Sequence, residues 1–370
     1  MPLHPALPRI TDWLNTRLGR ASVLCYTAAF LVPEAGNVVR HNPLNLHGIR
    51  IGAPTALLIT ILFAAAYRVS LREMAVSLRR PRVLVAGLAA HLATPFMLAP
   101  AAAAVLALTG TTESAAFVPT ALALVTTAPV AAGATVWVSR GTGDASVMIS
   151  IIVLSALLSP LTLPTTFGVL DHTGAFGTHP LFSSAGTPGS TRDLLTVTVA
   201  LPCAAGLLCR RLSHPRVRAW ADGLSRLVAM LGVLALTYVN ASAAAPLVRV
   251  ASVPSLLAAV MSACAACLLA FQIGRWTARW GRLPREAAAT VTLACGMNNV
   301  SVSSVLAVTA VSTEPGLLVT ALAYGLVQKV AAHRAMAGHE QSHPVPTTAQ
   351  ATGDPGPSRD AGVPKRPFPL

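Results

Sequence analysis

Charge is scarce in this chain. Aspartate and glutamate supply only 13 of its 370 residues, and all charged types together make up 11%, where soluble domains carry about 25%. That shortage excludes an ordinary soluble domain, whose surface needs charge. Aromatic residues are also sparse, at 5%. The basic residues occupy neither one amphipathic face nor positions beside stacking aromatics, so a net charge of +14 does not mark a nucleic-acid surface. The six cysteines, Cys25, Cys203, Cys209, Cys264, Cys267 and Cys295, all fall in or beside apolar runs. No polar loop holds a pair, so free thiols are expected. Cys264-x-x-Cys267 reads as two small packing residues rather than a redox or metal pair. Paired carboxylates at mid-run, zinc-like His/Glu spacing and a phosphate-cradling glycine loop are all missing. No enzyme and no cofactor are expected.

What the chain does have is apolar sequence. It is 54% hydrophobic with a mean hydropathy of +0.62, gathered in long runs instead of amphipathic stripes. Ten runs come near the roughly 20 residues that cross a bilayer core: Ala21–Val39, Ala53–Ser70, Val83–Leu108, Ala115–Ser139, Ala145–Leu170, Leu194–Cys209, Leu224–Leu247, Val253–Ile273, Ala287–Val311 and Gly316–His333. The first is interrupted by Pro33 and Glu34. The expected fold is an all-α polytopic membrane protein with ten transmembrane helices.

Basic residues set the expected orientation. With both termini in the cytoplasm, only Arg40, Arg50, Arg192 and Arg249 of the 27 lysines and arginines fall on the outer side, as the positive-inside rule requires. The opening segment lacks a small-residue cleavage site after a short apolar run and is not read as a signal peptide. Residues 1–20 form a cytoplasmic N-terminal segment, 21–170 a first five-helix repeat, 171–193 an extracellular connecting loop and 194–337 a second five-helix repeat. Residues 338–370, rich in Pro, Gly, Ser and Thr, read as a disordered cytoplasmic tail. Five spans per half place the halves in opposite orientations, as an inverted repeat requires.

Each half breaks its fourth span. In "TTAPVAAGATVWVSRGTGDAS", Thr126–Ser146, Pro129 removes a backbone donor and Gly133 weakens the helix. In "TLACGMNNVSVS", Thr292–Ser303, Gly296 and Met297 lead into the adjacent amides Asn298 and Asn299. Matching broken helices are the best sequence pointer to a transporter's binding site, since freed backbone groups need partners. Asn298 and Asn299 offer carbonyl oxygens to a cation and amide hydrogens to an anion; Ser301, Ser303 and Ser304 read as interhelical glue. His91, deep within "LVAGLAAHLATPF", is either a neutral packing histidine or a substrate or proton-binding group. Trp137, beside the first break, lines the pathway or packs. Lys329 reads as snorkelling to the cytoplasmic interface. No arginine lies at mid-depth, so anion recognition would rest on helix N-termini and amides.

Three stretches resemble the bile acid:sodium symporter family, within the wider bile/arsenite/riboflavin transporter superfamily. "PVAAGATVWVSRGTGDASVMISIIVLSALLSPLTLP" is similar to its fourth and fifth spans, "ACGMNNVSVSSVLA" to its ninth, and "LFAAAYRVSLREMAVSLRRPRVLVAGL" to its second-to-third connection. The resemblance covers roughly residues 10–335 and implies a core of spans 3–5 and 8–10, with spans 4 and 9 broken and crossing. A panel of spans 1, 2, 6 and 7 would move against that core. It further implies uptake of organic anions coupled to sodium.

Carried over by residue, Pro129, Gly296, Met297 and Asn299 match the motifs, and Asn298 stands where glutamine is usual. The sodium-ligating Ser-Asn pair falls on Ala134 and Thr135. The glutamate shared by both sodium ions falls on Ala294, the fifth-span hydroxyls near Met148 and Ile152, and the third-span glutamine near Ala90 or His91. Thr135, Asn298 and Asn299 are the remaining sodium candidates, and most of the shell is gone. The chain therefore reads as a divergent secondary transporter of a small organic solute, with the bilayer and a small molecule as its partners. Its substrate and oligomeric state stay open. A proton-coupled or uncoupled carrier, an exporter, and a non-transporting sensor or assembly partner are the alternatives.

Overall fold

A computed structural model describes residues 6–41, 44–46, 49–109, 115–140, 143–174, 188–310 and 315–341. The expected Asp171–Asp193 loop lies largely outside them, as does the chain beyond Gln341. Helices α1 (Ala6–Leu31) and α2 (Pro33–His41) meet at an angle of 87°. Pro33 supplies the reason, because its ring and missing N–H stop a helix from running through. Helix α1 starts well before the first apolar run, so much of the opening segment is helical. A small hairpin follows, with β1 (Leu44–Leu46) antiparallel to β2 (Ile49–Ile51) and Asn45 opposite Arg50. These short strands are the exception in an otherwise helical chain: Ile49 and Ile51 alternate around Arg50, a pattern that suits a strand and is too short for a helix.

Helices α3 (Ala53–Tyr67) and α4 (Leu71–Ser77) are bent by 73°. Then come α5 (Pro81–Thr109), α6 (Val118–Thr127), α7 (Ala134–Arg140) and α8 (Ala145–His172). The second half comprises α9 (Pro188–Leu195), a π-helical turn at Thr196–Ala200, α10 (Leu201–Leu212), α11 (Pro215–Val250), α12 (Val253–Trp280), α13 (Arg285–Gly296), α14 (Val300–Ala310) and α15 (Pro315–Gln341). Because α15 runs on to Gln341, Gly338–Gln341 are helical and not tail. Pro344 is the first residue there that cannot continue a helix.

Among the described residues, six helices are long and apolar enough to cross a membrane, or up to eight if each bent pair counts as one span. Large apolar side chains such as Leu24, Val85, Val105, Leu161, Val250 and Leu268 stand exposed along them. In water that surface would be a liability; in lipid it is the expected exterior. The chain is a multi-pass membrane protein. The fourth and ninth apolar runs do not form continuous helices: each is split into two short ones, α6 with α7 and α13 with α14.

Packing separates two groups of helices. Helices α1, α2, α3, α10 and α11 contact one another heavily, and so do α5, α6, α8, α12, α13 and α15. Where α1 and α11 meet α15, a small apolar cluster forms from Ala29, Ala241, Ala243, Ala244, Leu318 and Leu322. Small residues let these backbones approach closely. Asp144 ties α8 and α13 of the second group to Arg80, the residue before α5. It caps α8 at Val147 N (3.1 Å), accepts from Arg80 (2.7 Å), and its own N–H donates to Thr290 Oγ1 on α13 (2.8 Å).

Candidate functional site: two broken helices cross

The first break follows from Pro129. A residue before proline avoids the helical region, and Ala128 accordingly turns extended (φ −59°, ψ 143°), ending α6. The hydroxyls of Thr126 and Thr127 fold back onto Leu122 O (2.6 Å) and Ala123 O (2.7 Å), which satisfies them inside the apolar core. The second break follows Gly296, after which Met297 is extended (φ −109°, ψ 92°). A Cβ at Gly296 would overlap the Phe271 ring of α12, so only glycine allows that approach.

The two breaks pair with each other. Val130 and Asn298 form an isolated antiparallel bridge. Ala131 N donates to Met297 O at 2.8 Å, and Asn299 N donates to Pro129 O at 2.8 Å. Each break thus satisfies backbone groups that the other lost, which lipid could not do. The N–H groups of the two bridging residues point the other way and find side chains. Val130 N donates to Ser155 Oγ on α8 at 3.0 Å, and Asn298 N to Gln328 Oε1 on α15 at 2.9 Å.

Asn298 is fully buried. Its Nδ2 donates to Tyr324 Oη (3.0 Å), whose hydroxyl donates on to Gly296 O (3.1 Å). Its Oδ1 has no partner. Asn299 plays a different part: its Oδ1 accepts from Val302 N (3.4 Å) and its carbonyl from Val302 N and Ser303 N, so it caps α14. The structure therefore gathers Pro129, Gly296, Asn298 and Asn299 at one crossing. Ala134 is buried at the start of α7, and the Thr135 hydroxyl beside it is turned back onto Ala132 O at 2.8 Å.

His91 is buried on α5, with Nδ1 unpartnered and its ring against the Ala294 backbone. One turn earlier, Gly87 lies against Ile151 of α8 and Val291 of α13. His91 and Ala294 are positions onto which the resemblance carries a third-span and a ninth-span ligand, and the structure brings them together. Trp137 packs on the His333 ring of α15, with centroids 5.9 Å apart. Lys329, expected to snorkel to the cytoplasmic interface, is half-buried and finds a partner on another helix. Its ammonium donates to Ser22 Oγ on α1 at 2.9 Å, and Ser22 is fully buried. Ser155, Tyr324 and Gln328 escaped the sequence reading. Tyr324 and Gln328 stand four apart in an apolar helix, on one face, and that spacing was the available signal.

The sequence matches the Sodium Bile acid symporter family over residues 55–250, more than half of the chain. The chain belongs to the sodium bile acid symporter family. No curated protein matches it. The family match takes in the first break and ends before the second, which pairs with the first through the Val130–Asn298 bridge. Members of this family are transporters of bile-acid-like solutes across membranes.

Sodium, the ion in the family's description, fits this donor set poorly. Ala294 and Ala134 are buried and carry no side-chain oxygen, and Met148, near which the resemblance carries a hydroxyl ligand, is buried too. Among the described residues no three His, Cys, Asp or Glu side chains cluster. The oxygens left are the neutral Asn298 Oδ1 and Thr135 Oγ1. Neutral oxygens solvate a cation without cancelling its charge, and an uncompensated buried charge costs at least several kcal/mol.

Proposed function

We propose that this protein is a secondary transporter that moves a small organic anion across the cytoplasmic membrane by alternating access, with little or no dependence on sodium. The observation that carries this reading is the reciprocal crossing of the breaks, in which Ala131 N meets Met297 O and Asn299 N meets Pro129 O. Half-helices meeting near mid-membrane leave backbone and amide groups for a solute. Ser155 serves Val130 as Gln328 serves Asn298, which supports two inverted five-span repeats, with α6/α7 and α13/α14 each counted as one broken span. Ten spans would put both termini on one side, and the distribution of basic residues favours the cytoplasm. The two helix groups support a core that carries the crossing and a panel that rocks against it.

A second reading concerns coupling. His91 is the titratable group set deepest in α5; its Nδ1 is unpartnered and its ring meets Ala294, the position where the family's shared glutamate would stand. Protonation there would put a positive charge where a sodium ion would otherwise sit, which makes proton coupling the alternative to uncoupled carriage.

Reconstitution into proteoliposomes tests the function. Labelled cholate, pantothenate and pyruvate are offered outside, and vesicles preloaded with them are tested for efflux. Accumulation of at least one acid above empty vesicles is expected. Efflux without uptake would make the protein an exporter, and binding without movement would make it a sensor or assembly partner.

A further inference from the structure

Lys329 follows Gln328, whose amide bonds to the crossing at Asn298. Its Cα follows that of Gln328 by about 1.5 Å of rise, well inside α15 (Pro315–Gln341). Its ammonium crosses to α1 and donates to the Ser22 hydroxyl. Cys25, one turn further on α1, is its other polar neighbour. No carboxylate among the described residues pairs with it, unlike Arg80 with Asp144 and Arg210 with Asp222. A half-buried ammonium held by a hydroxyl lacks the counter-charge that such a group needs. Ionisable residues within membrane-spanning helices mark substrate pathways. This one stands where the helix group of α1 meets that of α15, close to a second cross-contact, Tyr26 Oη to Leu322 O (3.4 Å).

We infer that Lys329 binds the acidic end, carboxylate or sulfonate, of the transported solute. The inference rests on the organic-anion reading above and gives it a residue. The chemistry at the site supports it: Ala294 has no side-chain oxygen to hold a cation, while Lys329 brings a basic group that lacks an anion. Where relatives would bring a mobile cation with the substrate, this chain carries its own. In the empty protein the Lys329–Ser22 bond joins α1 to α15. An arriving anion takes the ammonium, Ser22 is released, and the two helix groups lose one of their polar contacts.

The test is ligand binding to purified protein in detergent, with each acid paired to an uncharged analogue: pantothenate with panthenol, cholate with its methyl ester. Wild type is expected to bind at least one acid about tenfold or more tighter than its partner, the range of a hydrogen bond to a charged group. Lys329→Met should erase that preference and Lys329→Arg keep it. Ser22→Ala should tighten acid binding by about threefold, because it removes the competing acceptor. Where Lys329→Met does not elute as a single species, Lys329→Gln takes its place. An acid preference that survives in the Met or Gln variant overturns the lysine assignment alone. If no acid binds wild type, the organic-anion reading fails and the assignment with it.

Discussion

Gln328 accepts the backbone N–H of Asn298 at 2.9 Å, and that bond is what lets an extended residue sit in the membrane core. Ser155 does the same for Val130 at 3.0 Å. Both acceptors come from the helix that follows the break in its own half, α8 for the first and α15 for the second. Removing either leaves a buried N–H unpaired, at about 1–3 kcal/mol. Gln328→Leu and Ser155→Ala are therefore expected to lower the melting temperature of the purified protein by similar amounts. A neutral Gln328→Leu would mean that water reaches Asn298 N.

The adjacent amides should separate on mutation. Asn299 caps α14, so Asn299→Ser should keep the fold and most of the uptake, while Asn299→Ala loses about 1 kcal/mol. Asn298 is the one with an unpartnered Oδ1. Asn298→Leu suits a membrane helix and should express well yet abolish uptake in proteoliposomes. Wild-type uptake by Asn298→Leu would make that amide glue.

Gly296 faces the Phe271 ring with no room for a Cβ. Gly296→Ala is expected to destabilise by about 1–3 kcal/mol through overpacking, seen as reduced folded yield. Phe271→Leu in the same chain should restore most of it. Failure of that rescue, with the single Phe271→Leu variant folded, would place the strain in the backbone at Met297.

Uptake should respond weakly to an imposed sodium gradient measured against potassium. A steep sodium dependence with a Hill coefficient near two would overturn the argument built on Ala294. If an inward proton gradient drives accumulation, His91→Gln should remove that stimulation, because a glutamine side chain keeps hydrogen bonding and cannot take the proton. Stimulation that persists in His91→Gln would move the proton site elsewhere and leave His91 as a packing residue.

Much of this molecule was legible in one dimension. Lipid demands long apolar runs, so the runs marked the helices, and α5, α8 and α12 begin within two residues of the expected starts. Proline and glycine act on the backbone locally, so Pro33, Pro129 and Gly296 marked the bend and both breaks before any coordinates did. Local rules do not reach across the chain. That Val130 meets Asn298, that His91 meets Ala294, and that Lys329 reaches Ser22 depend on residues brought together from far apart in sequence, and only packing decides such meetings. The same limit hid the difference between Asn298 and Asn299. Side by side they read as one motif, but the extended backbone turns one amide toward Tyr324 and the other along α14, and only the tertiary structure gives them separate work.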